Sequence, residues 1–206
     1  MKSILVFFSL SVMIFASDIR LLSGEQKEQM QGVSYHRGCP VGLDELRVVS
    51  VKYLGFDSKD HRGELVVHES VAQEVAQIFQ ALYVANYPIN KMEPIRVYGG
   101  SDWHSIEADN SSAFNCRNAT GSKHFSKHAY GLAIDLNPIE NPYVFASGKS
   151  SHKASAPYLD RSKILTTPQG KAVLKKRSEA VQIFKRHGWK WGGDFAREKD
   201  YQHFYK

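Results

Sequence analysis

Ser126-Lys127-His128-Ala129-Tyr130-Gly131-Leu132-Ala133-Ile134-Asp135 sets a histidine and an aspartate seven residues apart around a glycine. On one continuous helix that gap spans about two turns, roughly 10 Å of rise, too far for both side chains to reach one small ion. The chain must therefore turn between them. Gly131, lacking a Cβ, can adopt positive φ and make the turn, and Leu132 to Leu136 then reads as a short apolar strand carrying Asp135. A hydrogen-bonded pair in a loop is the competing reading. A third donor favours a metal. In Asp200-Tyr201-Gln202-His203-Phe204-Tyr205, His203 is followed by apolar residues that would seat it on a buried strand. His128, Asp135 and His203, with water in the fourth position, make an open tetrahedral zinc site, and Asp200 becomes the candidate base beside it.

Ser-x-His-x-x-Gly-x-Ala-x-Asp followed far downstream by Asp-x-x-His resembles the D-alanyl-D-alanine carboxypeptidase family of zinc metallopeptidases, which cut the peptides of bacterial peptidoglycan. The resemblance runs from about Cys39 to the C-terminus, and Gly188-Trp189-Lys190-Trp191-Gly192-Gly193-Asp194 resembles the family's lead into its last ligand. It implies one zinc held by His128, Asp135 and His203, with Asp200 as general base where relatives often carry Glu. It also implies hydrolysis of a stem-peptide bond, either D-Ala-D-Ala carboxypeptidase-like or L-Ala-D-amino-acid endopeptidase-like. The fold expectation, supplied largely by the resemblance, is α+β: a small, mainly antiparallel sheet flanked by helices, with the zinc in a cleft on one sheet face. Arg117 is the candidate oxyanion stabiliser, although relatives place the catalytic arginine in a Tyr-Arg-Ser context that this chain lacks. Ser126 either bonds the substrate or supports the site. A zinc-stabilised wall-binding module without catalysis is the alternative. A metal nuclease fits less well, for want of a basic strip interleaved with aromatics.

Met1-Lys2-Ser3 precedes Ile4 to Phe15, twelve residues of which ten are apolar. This reads as an export signal, since spanning a bilayer takes about 20 such residues, and Ala16 offers a cleavage point. An uncleaved anchor is the other possibility. Export implies the periplasm, the cell wall or the medium, with no stable membrane insertion once the signal is removed. Residues 17 to 38, with few large apolar side chains, read as a poorly ordered polar leader, and 39 to 206 as one peptidase domain. Cys39 and Cys116 are expected to pair in an oxidising compartment, with a zinc–thiolate site as the rival. Removing Lys2 from the 27 basic residues leaves 26 against 21 acidic ones, or +5. That mild balance suits an anionic wall, and no basic tract suggests nucleic acid.

Leu46 to Tyr53 and Glu64 to His68 read as a hairpin across the polar turn Gly55 to Gly63. Ser70 with Gln73 is a capping-box pattern opening a helix whose Val71, Val75, Ile78, Phe79 and Leu82 share one face. Ile95 to Tyr98 is expected as a strand before a loop running to about Asn110, whose Asp102, Trp103, His104 and Glu107 either line a cleft or lie on the surface. Asn137 to Gln169, with four prolines, should be a long irregular excursion supplying Tyr143 or Tyr158 to the cleft. Ala180, Val181 and Phe184 mark a later helix stopped by Gly188. Trp189 and Trp191 form either a substrate wall or core. His36, His61, His68 and His152 are taken as non-ligands, and His104 and His124 as groups supporting the site.

Overall fold

A computed structural model describes residues 18–163 and 166–206, so the export-signal reading of residues 1–16 lies outside the described residues. In chain order the elements are β1 (Asp18–Leu21), α1 (Gly24–Met30), β2 (Leu46–Leu54), β3 (Asp60–His68), α2 (Glu69–Val84), β4 (Lys91–Met92), α3 (Asp102–Glu107) and β5 (Asn110–Ser111). The second half adds β6 (Ala133–Asp135), β7 (Tyr143–Val144), α4 (Pro168–Lys171), α5 (Glu179–Arg186), β8 (Lys190–Trp191), β9 (Lys199–Asp200) and β10 (His203–Tyr205). The class is α+β, as expected. Its strands fall into several small sheets, antiparallel in β1-β2-β3, β6-β10-β8 and β7-β9 and parallel in β4-β5.

The hairpin forms with Leu46 opposite His68. Strand alternation sends Val49, Val51, Tyr53, Leu65 and Val67 to one face and Leu46, Val48 and Val66 to the other. The first face packs on the apolar stripe of α2, where all five residues expected from the periodicity are buried. From there the core passes to α5 and β10: Phe184 stacks on Phe204 with ring centroids 3.8 Å apart and meets Phe79 edge-on. Phe204 thereby anchors the strand that carries His203.

Three local expectations are corrected. Helix α2 is capped by His68, whose Nδ1 accepts the Ser70 N–H at 3.2 Å, so Ser70 lies inside the helix. Ile95–Tyr98 is a 3₁₀ turn and not a strand, because Pro94 fixes its entry at φ −58° and Gly99 closes it at φ +64°. Beyond it, Ser101 Oγ accepts the His104 N–H and starts α3 where a loop was expected.

The polar leader is not loosely attached. Strand β1 pairs antiparallel with β2, Ser23 and Gln26 make the capping box of α1, and Leu22 and Met30 are buried. These few apolar residues meet Leu46, Val48, Val66 and Phe114 on the second face of the hairpin. Sparse composition misled here because two well-placed side chains and a paired strand are enough to fix a short segment.

The excursion after Asp135 is irregular but its first part, 136–142, is buried. Asn137, at φ +43°, donates through Nδ2 to Pro88 O (2.9 Å) and accepts the Asn90 N–H (3.0 Å). Arg161 reaches back to Asn141 Oδ1 and to the Leu174 and Glu140 carbonyls. Within this plug the carboxyls of Asp109 and Glu140 meet, and Asp109 also accepts the Ile139 N–H at 3.0 Å. Burial, then the neighbouring Asp109 carboxyl, pushes Glu140 up to about 9 from an ordinary 4.5. Between those values the folded protein keeps a proton that the unfolded chain has lost, so stability falls as pH rises. Glu140→Gln has no proton to lose, and its melting temperature should gain on the wild type between about pH 5 and about pH 9. Parallel melting curves of the two proteins across that range would contradict the shared proton.

Candidate metal centre

His128 sits in the 3₁₀ turn Lys127–Tyr130, which Ser126 opens by accepting the His128 N–H on its Oγ at 3.3 Å. Gly131 closes the turn at φ +65°, and a Cβ there would lie 2.5 Å from the His68 nitrogen. Both the left-handed conformation and the tight approach require glycine. The chain then enters β6, which pairs with β10 so that Asp135 stands directly opposite His203. Residues paired this way project from the same sheet face, within reach of one another.

The structure brings the three side chains together. His128 Nε2 lies 3.1 Å from Asp135 Oδ2, His203 Nδ1 lies 2.9 Å from Asp135 Oδ1, and the two ring nitrogens are 3.1 Å apart. His128 Nδ1 is 2.5 Å from the Ala113 carbonyl, to which it donates, leaving the Nε2 lone pair for a cation. Burial works to raise the Asp135 carboxyl, yet the imidazoles of His128 and His203 together hold it well below the ordinary carboxylate range. Burial likewise opposes a charged His203, but Asp135 holds this imidazole above its ordinary value. One carboxylate between two imidazole nitrogens is a donor set that fits a single cation.

Asp200 lies beside this group. It leads into β10 from β9, which pairs Asp200 with Tyr143 of β7, and its Oδ1 is out of solvent with no hydrogen-bond partner. Burial pushes its carboxyl up to about 6, with Asp135 adding to the shift and His203 opposing it. Gly192 makes the packing possible. A Cβ at this position would lie 2.5 Å from the Asp200 carbonyl oxygen and 3.2 Å from the His203 Cβ.

Segment 112–117 is a rail along the group. Ser112 exchanges two backbone hydrogen bonds with Asp135, Ala113 holds the His128 ring, and the Asn115 N–H donates to the His128 carbonyl at 3.3 Å. Arg117 O accepts the Ser126 N–H at 3.0 Å. Cys116 ties the rail to the N-terminal segment through a disulfide to Cys39 and by donating its N–H to Ser34 O. The bridge joins residues 77 apart in sequence, and in the chain-entropy model it disfavours the unfolded chain by about 4.5 kcal/mol. His36 lies near both cysteines, but their sulfurs are joined to each other, which removes the thiolate alternative.

A cavity of about 520 Å³ is lined by His128, Asp135, Asp200, His203, Arg117 and Ser126, the six residues singled out from sequence. Tyr143 also lines it, whereas Tyr158, His104 and His124 do not. Trp189 and Trp191 are core: Trp189 Nε1 donates to Glu74, Trp191 Nε1 to the Tyr201 carbonyl at 2.9 Å, and both rings are buried. His152, set aside as a non-ligand, lines the cavity through a contact the sequence does not announce. Its Nδ1 pairs with Glu107 at 2.7 Å across 45 residues, and its ring lies against Trp103 with centroids 4.2 Å apart.

Residues 120–206 match the family model described as D-alanyl-D-alanine carboxypeptidase. No curated protein and no solved structure matches the chain. The matched span holds all three donors and Asp200, and it supports both the family that the two motifs resemble and a peptidase activity.

Gly192→Ala is expected to force Asp200 and His203 apart, costing about 1–3 kcal/mol as overpacking does. Urea unfolding with metal titration checks this: lower stability and weaker metal binding are expected together. Unaltered binding would mean that the backbone beneath the site can yield.

Proposed function

We propose that the protein is an exported zinc peptidase that hydrolyses a peptide bond in the stem peptides of bacterial peptidoglycan. One observation carries the reading: two imidazole nitrogens and a carboxylate converge on a cavity wall beside a carboxyl group that has an oxygen without a partner. His128 Nε2, the Asp135 carboxylate and His203 Nδ1 would hold the ion and leave a position open. When bound, zinc supplies Lewis acidity that activates water and polarises a carbonyl.

The remaining work falls to the chain's own groups. Asp200 accepts the proton of the attacking water at Oδ1 and passes it to the leaving amine. Arg117, on the same cavity, offers guanidinium N–H to the carbonyl oxygen as negative charge gathers there. Ser126 supports the site by capping the turn that presents His128. A module that only bound the wall would gain nothing from the Asp200 arrangement, since a carboxyl oxygen without a partner out of solvent lowers stability.

The family description favours release of a terminal residue, while the charge balance of the cavity favours an internal bond. Arg117 is already paired with Asp102, His152 with Glu107, and Lys127 is exposed. No unpaired cation among the described cavity residues is buried to receive a terminal carboxylate. Export accords with the disulfide, which persists in oxidising compartments. Among the described residues no helix is long and apolar enough to cross a membrane.

Purified protein should bind about one zinc, with occupancy falling sharply in His128→Ala and His203→Ala. Asp200→Asn should retain zinc and muropeptide while turnover drops roughly 10²- to 10⁴-fold, the range for loss of a general base. Elemental analysis and mass spectrometry of defined muropeptides decide it. Zinc loss in Asp200→Asn would make Asp200 a ligand, and binding without turnover in the wild type would make the protein a wall-binding module.

A further inference from the structure

We infer that Asp102 is a specificity-determining residue: by balancing Arg117 it makes the cavity accept a neutral carbonyl there and reject a free carboxylate. The inference rests on the peptidase reading above but concerns which substrate enters. The first residue of α3, Asp102 accepts the Asn115 Nδ2–H on Oδ1 at 2.8 Å, and the same amide donates to the Gly100 carbonyl at 3.1 Å. Asn115 is buried and belongs to the rail that carries His128. The carboxylate is therefore fixed to the frame of the metal centre and is not a mobile surface acid.

Its other oxygen, Oδ2, sits against Arg117 Nε in a charge contact, with the N–H not aligned on it as a hydrogen bond. Arg117 Nη1 donates to the Asn118 carbonyl at 3.0 Å. Among the described residues, that leaves Nη2 for a ligand. The two side chains are 32% and 35% exposed and both line the cavity, so an entering molecule meets them as a pair.

A peptide carbonyl needs only one N–H from Nη2, and the ion pair can stay intact while it binds. A carboxylate needs the guanidinium's charge and, for its best geometry, two parallel N–H groups. It would have to displace Asp102 from a position held by Asn115, or lie beside a like charge. Selection against the carboxylate thus comes from a repulsive group built next to the attractive one.

Asp102→Asn removes the charge and keeps an oxygen to accept the Asn115 amide. The test is calorimetric binding of two stem-type peptides that differ only in a C-terminal carboxylate or carboxamide. It is made on zinc-loaded full chain carrying Asp200→Asn, so that the peptides stay intact whether or not the wild type is an enzyme. With Asp102 present the carboxamide should bind at least as well as the carboxylate. Adding Asp102→Asn should move the affinity ratio toward the carboxylate by about ten- to a hundredfold, the worth of one charged hydrogen bond. Asp102→Glu should restore most of the original preference. An unchanged ratio in folded, zinc-loaded Asp102→Asn would overturn the inference, as would failure of every variant to bind either peptide. Failure of the peptidase reading would show separately, as a wild type that binds these peptides and does not cut them.

Discussion

A fixed antiparallel register joins β6 to β10. It brings together Asp135 and His203, 68 residues apart in sequence, and one step of register would turn one of them to the opposite face. Packing specifies this register. Ile134 and Phe204 are fully buried opposite each other, and Phe204 is locked by the Phe184 ring, so the alternating Asp135 and His203 are left facing the cavity. A core that α2 and α5 share with the β2–β3 hairpin and with β6, β8 and β10 thereby sets the position of the polar site.

The third donor and the neighbouring arginine are placed by different means. His128 comes from a short turn, held at its ends by Ser126 and Gly131 and at its ring by Ala113. Rail 112–117 joins this turn to Asp135 and Arg117, and the disulfide joins the rail to the N-terminal segment. Order in residues 18–38, the Cys39–Cys116 bridge and the placement of Arg117 are therefore connected parts of one arrangement.

What the sequence made legible was local or repeated. The hairpin and α2 follow from alternation and helical spacing, and the turn between His128 and Asp135 follows from a distance that one helix cannot satisfy. His203 was legible because its apolar neighbours marked a buried strand. Other features arise from long-range contacts that leave no local pattern. Asp102 and His152 looked like loop residues until Asn115, Arg117 and Glu107 were brought beside them. Residues 18–38 looked unanchored because the side chains that bury Leu22 and Met30 lie elsewhere in the chain. Trp189 and Trp191 were ambiguous for a related reason: an indole beside a site and an indole under it read alike until its N–H partner is known.

Whether His128, Asp135 and His203 form one metal centre is decided by anomalous X-ray diffraction from crystals soaked in zinc. Data collected on either side of the zinc absorption edge should show one dominant anomalous peak, bounded by His128 Nε2, the Asp135 carboxylate and His203 Nδ1. A dominant peak elsewhere, at His36 or between Glu107 and His152 for instance, or no ordered zinc at the three donors, would contradict that centre.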